Sequence, residues 1–226
     1  MKALVLAAGL GTRLRPLTLR LPKALVEVGG QPMLGRHLHA LSDAGFEAAV
    51  VNTAWLAGAV HDYLKTEDFG LPVAVSHEGD EPLDTGGAML HALPLLGDAP
   101  FVAVNADVVT DFDFSRLMTS LGEDLAHLIL VPNPTYRSGG DFALSRGRVT
   151  GRDHQGYTFS GMGVYHPEIL QRAPRGRMQF SVVPLLESLM KENRVGGSIY
   201  RGMWHDTGTP ERLREARQSV SRIAAR

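Results

Sequence analysis

The opening residues constrain the fold most. Residues 3–8 form an unbroken apolar run that stops at Gly9 and Gly11, with Arg13 and Arg15 close behind. A short run that is apolar throughout is the pattern of a parallel strand buried on both faces and feeding a loop. Pro32 then opens a helix in which Leu34, Leu38 and Leu41 fall at i, i+4 and i+7, with Gly45 as its stop. The alternation continues: strand 46–52 and helix 56–64, strand 72–77 and helix 86–93, strand 101–106 and a short helix near 114–120, then strand 126–132. It predicts an α/β fold built on a mainly parallel, doubly wound, Rossmann-like sheet.

Beyond Pro134 the pattern changes. Residues 141–145, 148–150 and 157–164 read as short, partly antiparallel strands added to that sheet. Two helices close the chain, 182–191 and 210–224, the second with Leu213, Ala216, Val220 and Ile223 on one face. No linker, repeat or low-complexity stretch interrupts the 226 residues, so a single domain is expected.

Composition removes whole classes of function. With no cysteine there is no disulfide scaffold, thiolate metal site or thiol nucleophile. No window of 18 apolar residues exists, so no membrane span or membrane partner is expected. The N-terminus imitates a signal peptide, but the arginines follow its apolar run at once, and a cytoplasmic protein is expected instead. The net charge of −1 conceals a division: +4 over residues 1–30, −8 over 31–200 and +3 over 201–226. A nucleic-acid binder would carry a basic excess along one face, so no nucleic-acid partner is expected. Basic ends around an acidic middle suit a site that handles a small anion with the help of a cation.

Four segments carry chemistry. In open α/β sheets ligands bind at the carboxyl ends of the strands. Gly9 and Gly11 remove side chains there, so the N–H groups of Ala8, Gly9, Gly11 and Thr12 can reach phosphate oxygens. Arg13 adds a fork of donors, and Lys23 after Pro22 adds a mobile charge. The loop is not a dinucleotide fingerprint, because Leu14 stands where the third glycine belongs, and the chain has no P-loop motif. Asp107 ends the strand 101–106 and is a candidate magnesium ligand, since Mg²⁺ takes one or two carboxylates and shares its other positions with phosphates and water. Asp206, in Trp204-His205-Asp206-Thr207-Gly208-Thr209, is its candidate partner; Thr209 is better placed to cap the helix after Pro210. Gly86 and Gly87 begin a helix or offer flat backbone to a base. Asp111 and Asp113 read as caps or surface acids. None of the nine histidines forms a metal or triad pattern; His37 and His39, two apart, do not face each other on a helix.

Residues 6–18, Leu-Ala-Ala-Gly-Leu-Gly-Thr-Arg-Leu-Arg-Pro-Leu-Thr, followed by Pro22-Lys23-Ala24-Leu25, resemble the signature of the sugar-1-phosphate nucleotidyltransferases. The resemblance implies that the loop wraps the phosphates of a nucleoside triphosphate, gripped by Arg13 and Lys23. It implies Mg²⁺ on Asp107 and Asp206, and a base near Gly86. It also divides the chain into a nucleotide-binding half, about 1–110, and a sugar-binding half, about 111–226. The Glu-Lys-Pro stretch of many relatives is missing, and 226 residues leave no room for their C-terminal β-helix.

Along nearly its whole length the chain resembles a compact branch of the family. The resemblance is carried by Asn52-Thr53-Ala54-Trp55-Leu56, Leu125-Ala126-His127-Leu128, Gly140-Asp141-Phe142, Phe159-Ser160-Gly161 and Tyr200-Arg201-Gly202. That branch joins UTP to N-acetylmuramate α-1-phosphate in peptidoglycan recycling, and it implies that Asn105 and Asp141 lie at the sugar. Asp84 departs from its pattern where glutamate is expected, and Ser138-Gly139 where arginine is. Arg137, Arg201 and Arg152 are the candidates to meet the lactyl carboxylate, with Arg201 set beside the sugar phosphate. Mannose-1-phosphate guanylyl and glucose-1-phosphate uridylyl or thymidylyl transfer are the alternatives, with a silent sugar-nucleotide-binding protein as the rival outside enzymology. A monomer or small homo-oligomer is expected.

Overall fold

The structure is a computed structural model, which describes residues 1–224. In chain order it contains β1 (Lys2–Leu6), β2 (Glu27–Val28), β3 (Gln31–Pro32), α1 (Met33–Asp43), β4 (Ala48–Thr53), α2 (Ala57–Thr66), β5 (Val73–His77), α3 (Asp84–Leu96), β6 (Phe101–Asn105) and β7 (Val108–Thr110). The second half adds β8 (Ala126–Val131), β9 (Phe142–Ser145), β10 (Arg148–Arg152), β11 (Thr158–Tyr165), α4 (Val183–Lys191), β12 (Val195–Ile199), β13 (Trp204–Asp206) and α5 (Pro210–Ala224). Among the described residues no helix is long and apolar enough to cross a membrane.

Nine strands form one sheet in the order β5-β4-β1-β6-β11-β8-β12-β10-β9. The pairs among β5, β4, β1 and β6 are parallel, as is β8 with β12, whereas β11 and β10 run against their neighbours. Seven of the nine strands therefore share one direction. Every strand of this sheet that precedes residue 106 lies on one side of the β6–β11 boundary, and every strand of it that follows lies on the other.

Burial follows the pleat. Ala3 and Val5 of β1 face a core with Leu34, Leu38 and Leu41 of α1, while Leu4 faces the opposite core with Met89 and Ala92 of α3 and Leu186 of α4. This double covering is why residues 3–8 are apolar on both faces. A third cluster joins Leu14, Val26, Met33 and Val109 to Leu213, Ala216 and Val220 of α5, seating the tail helix beneath the glycine loop. Ile223 is not part of that face. It is 52% exposed, because Val220, packed on Gly29, is the last position of the stripe with a partner.

Some expected boundaries move. The helix expected over 86–93 starts at Asp84 and runs through Pro94 to Leu96, a buried residue, before Gly97 stops it. No strand was expected at β12, which holds the Gly196-Gly197 pair. Both glycines are squeezed by neighbours: a Cβ on Gly197 would lie 2.6 Å from Val149 Cγ2, and one on Gly196 2.7 Å from His127 Nδ1. The β7–β13 ribbon was also unforeseen. It brings the tail back across the first half and sets Asp206 opposite Val108.

Candidate active site

A cavity of about 520 Å³ opens at the carboxyl ends of β1, β4, β5 and β6. Its floor is the loop after β1. Gly11 has φ +61°, a left-handed backbone that favours glycine, and a Cβ there would lie 2.8 Å from Thr18 Cγ2. Thr18 Oγ1 closes the loop by donating to the Gly11 carbonyl at 2.7 Å. Ala8, Gly9, Gly11, Thr12 and Lys23 all line the cavity, as do Asn105 and Asp107 from the end of β6. Lys23 Nζ is ion-paired to Asp107 Oδ2, with both side chains mostly buried.

A polar relay fixes the upper wall. Asn52 Oδ1 accepts from the Ala7 N–H at 2.5 Å, and Asn52 Nδ2 donates to Glu78 Oε1 at 2.8 Å. Glu78 Oε2 in turn accepts from the Leu83 N–H at 2.8 Å. The first glycine loop is thus tied to the turn before α3 through two side chains that line the cavity. Neither was given a role from sequence: Asn52 was read as the last residue of a strand and the first of a stretch that carries the resemblance, and Glu78 has no neighbouring motif to mark it.

Gly86 lies elsewhere on α3. A Cβ on it would meet the Phe180 ring at 2.4 Å, and the N–H groups of Gly86 and Gly87 both donate to the Phe180 carbonyl. Thr85 and Ala88 line the cavity where Gly86 was expected to do so.

The second acid arrives by the β7–β13 ribbon. Thr207 donates to the Asp107 carbonyl from its backbone N–H at 3.0 Å and from its hydroxyl at 2.9 Å, so Asp107 and Asp206 are held on adjoining strand ends. Asp206 does not line the cavity wall proper. Its Oδ1 accepts from the Gly208 N–H at 2.7 Å, and its Oδ2 accepts from Arg212 Nη1 at 2.6 Å. Thr209 caps α5, its hydroxyl accepting from the Arg212 N–H. Arg13 turns towards the same place: a Cβ on Gly208 would lie 2.8 Å from both Arg13 Nη2 and Asp206 Oδ1. Arg212 was not foreseen, since nothing in the spacing of α5 distinguishes it from its solvated arginines.

The sugar-side candidates are spread. Asp141 accepts two hydrogen bonds from Arg137, at 2.9 and 2.7 Å, and one from the Phe159 N–H at 2.9 Å. That bidentate bond pushes the Arg137 guanidinium above its ordinary value. Arg152 is paired with Glu187, and Arg201 is exposed on the loop between β12 and β13. Asp113 caps the turn at Ser115, and Asp111 accepts from the Tyr200 hydroxyl. Beneath the ribbon, His37 Nε2 bonds the Val108 carbonyl at 2.8 Å, and burial pushes the imidazole down to about 4.

Chemically, the arrangement offers a backbone cradle with Lys23 and Asp107 in the cavity wall, and Asp206, Arg212 and Arg13 gathered near Gly208. Among the described residues no group of three or more metal-ligating side chains gathers. Two carboxylates with phosphate nearby fit a magnesium ion, which completes its shell from substrate and water.

Known proteins resemble the chain in both sequence and fold. The family model described as nucleotidyl transferase matches residues 2–138. The chain is 44% identical to the N-acetylmuramate alpha-1-phosphate uridylyltransferase of Neisseria meningitidis over 224 residues, 96% of each chain. It is 34% identical to the enzyme of that name from Caulobacter vibrioides, over 92% of each. The crystal structure of HddC from Yersinia pseudotuberculosis superposes with a TM-score of 0.81 at 25% identity, covering 97% of this chain and 99% of that one.

Proposed function

The chain belongs to the nucleotidyl transferase family, and on that premise we propose that it transfers a uridylyl group from UTP to N-acetylmuramate α-1-phosphate. The products are UDP-N-acetylmuramate and pyrophosphate. The glycine loop, Lys23 and Asp107 lining one cavity, with Asp206 held next to Asp107 across the β7–β13 ribbon, carry the reaction type. Identity of 44% across 96% of both chains supports the substrate pair. The reaction is a cytoplasmic step of peptidoglycan recycling on this reading.

The sugar phosphate is already an anion at neutral pH, since a phosphate monoester has its second pKa near ~6. No general base is required. A phosphate oxygen forms a bond to the α-phosphorus of UTP as the bond from that phosphorus to the bridging oxygen breaks, and pyrophosphate carries the electrons away. The protein's task is alignment and charge neutralisation. Backbone N–H groups of Ala8, Gly9, Gly11 and Thr12 receive the triphosphate. Lys23 swings from Asp107 to the α-phosphate, and Arg13 stabilises the leaving pyrophosphate. Asp107 and Asp206 would hold Mg²⁺, which when bound supplies positive charge shared between the reacting phosphates. Asn105 and Asp141 orient the sugar, Arg201 assists at its phosphate, and the base lies against the start of α3.

The test is pyrophosphate release across a matrix of nucleoside triphosphates and sugar 1-phosphates. UTP with N-acetylmuramate α-1-phosphate is expected to be fastest. Equal rates with N-acetylglucosamine 1-phosphate, or faster release from GTP with mannose 1-phosphate, would overturn the assignment.

A further inference from the structure

Arg212 is one of six arginines in the last 26 residues, yet its surroundings set it apart. Its side chain is only 12% exposed. Nη1 donates to Asp206, Nε reaches Thr209 Oγ1 at 3.4 Å, and the guanidinium lies 4.7 Å above the Tyr136 ring. Gly208 makes this possible, because a Cβ there would stand 2.9 Å from Arg212 Nη2 as well as against Arg13 and Asp206. One guanidinium therefore pairs with the Asp206 carboxylate, while Lys23 neutralises Asp107.

Each of the two carboxylates has one cation paired to it, Lys23 on Asp107 and Arg212 on Asp206, so both are neutralised before substrate arrives. A bare divalent cation meets ligands that are already paired. A triphosphate brings the negative charge that can draw Lys23 off Asp107. Arg212 keeps Thr209 and Tyr136 as partners after releasing Asp206, so its support does not depend on the carboxylate.

Resting on the magnesium reading above, we propose that Arg212 is a positioning residue that holds Asp206 as a built-in countercharge, so that divalent cation is bound weakly by the free protein and taken up together with nucleotide. Tyr136 is the plate that keeps Arg212 in place.

The experiment titrates Mn²⁺ into the full-length, nucleotide-free protein and follows the paramagnetic signal of unbound Mn²⁺. Arg212→Gln is expected to tighten Mn²⁺ binding about tenfold, as removing one adjacent charge does, and Arg212→Lys to stay near wild type. With UTP present the advantage of Arg212→Gln disappears. Equal or weaker Mn²⁺ binding by nucleotide-free Arg212→Gln overturns the proposal. If that variant melts early, Tyr136→Leu decides, with tighter Mn²⁺ binding supporting and no change refuting. Asp107→Asn and Asp206→Asn separate the two ideas. Mn²⁺ uptake with UTP that ignores both substitutions sinks the metal reading itself, whereas sensitivity to them with an unaltered Arg212→Gln sinks only the role of Arg212.

Discussion

The two sides of the β6–β11 boundary build their parts of the site in different ways. On the first side, β5-β4-β1-β6 are all parallel, and the cavity lies at their carboxyl ends. Most of the phosphate cradle comes from one stretch, residues 8–23, locked by Gly11 and Thr18. On the second side the strands change direction at β11 and β10, and the contributions arrive by return journeys. One is the loop carrying Tyr136, Arg137 and Asp141; the other is β13 with α5, carrying Asp206 and Arg212. A site made by local sequence is stiff and readable. A site made by chain return depends on pairs such as Arg212–Asp206 and Arg137–Asp141 being brought together.

The largest expected effect divides the two sides by rate. Lys23→Ala and Asp107→Ala should each lower turnover by ~10²–10³ or more, typical for removal of a charge that stabilises a transition state, with an unchanged melting curve. Arg137→Ala should instead raise KM for the sugar phosphate. Steady-state kinetics check both, and a fall in kcat for Arg137→Ala as deep as for Lys23→Ala would erase the distinction.

Acid should destabilise the fold through a histidine buried on α1. Unfolded His37 titrates near 6.5 and folded His37 near 4. Between those values the unfolded chain binds more protons, so stability falls as pH drops through the window, by up to ~3 kcal/mol at its lower end. Urea unfolding at a series of pH values measures this slope, and His37→Gln should flatten it. His127, on β8, is also shifted down by burial but opposed by Asp124, so His127→Gln should change the slope less.

Asn52→Ala should cost ~1–3 kcal/mol, because it strands the buried Ala7 N–H and takes the Asn52 donor from Glu78. Chemical denaturation measures that loss. Breaking Arg137–Asp141 by Arg137→Ala should cost under ~1 kcal/mol of stability, since this pair is partly solvent-exposed and screened. A larger stability loss from the second substitution than from the first would mean that the sugar-side loop, and not the Asn52 relay, is the stiffer element.

The readable part of the molecule was whatever local chemistry dictates. The apolar run at β1, the i, i+4, i+7 leucines of α1 and the alternation through β6 are properties of short windows. The loop around Gly9, Gly11 and Lys23 was readable for the same reason. β12 was hidden because Gly196 and Gly197 carry no strand signal; only their neighbours explain them. Gly86 looked available to a ligand until Phe180 was found against it.

Residue order alone carried the fold class and the glycine loop after β1, because backbone conformation and hydrophobic period act over a few residues. Tertiary structure decided that Asp206 stands beside Asp107 across 99 positions, that Asn52 and Glu78 brace the loop, and that Arg212 rather than any other tail arginine meets Asp206. Those choices depend on which surfaces a strand return and a packed helix face bring within hydrogen-bonding reach, and a reach of about 3 Å has no counterpart in linear distance along the chain.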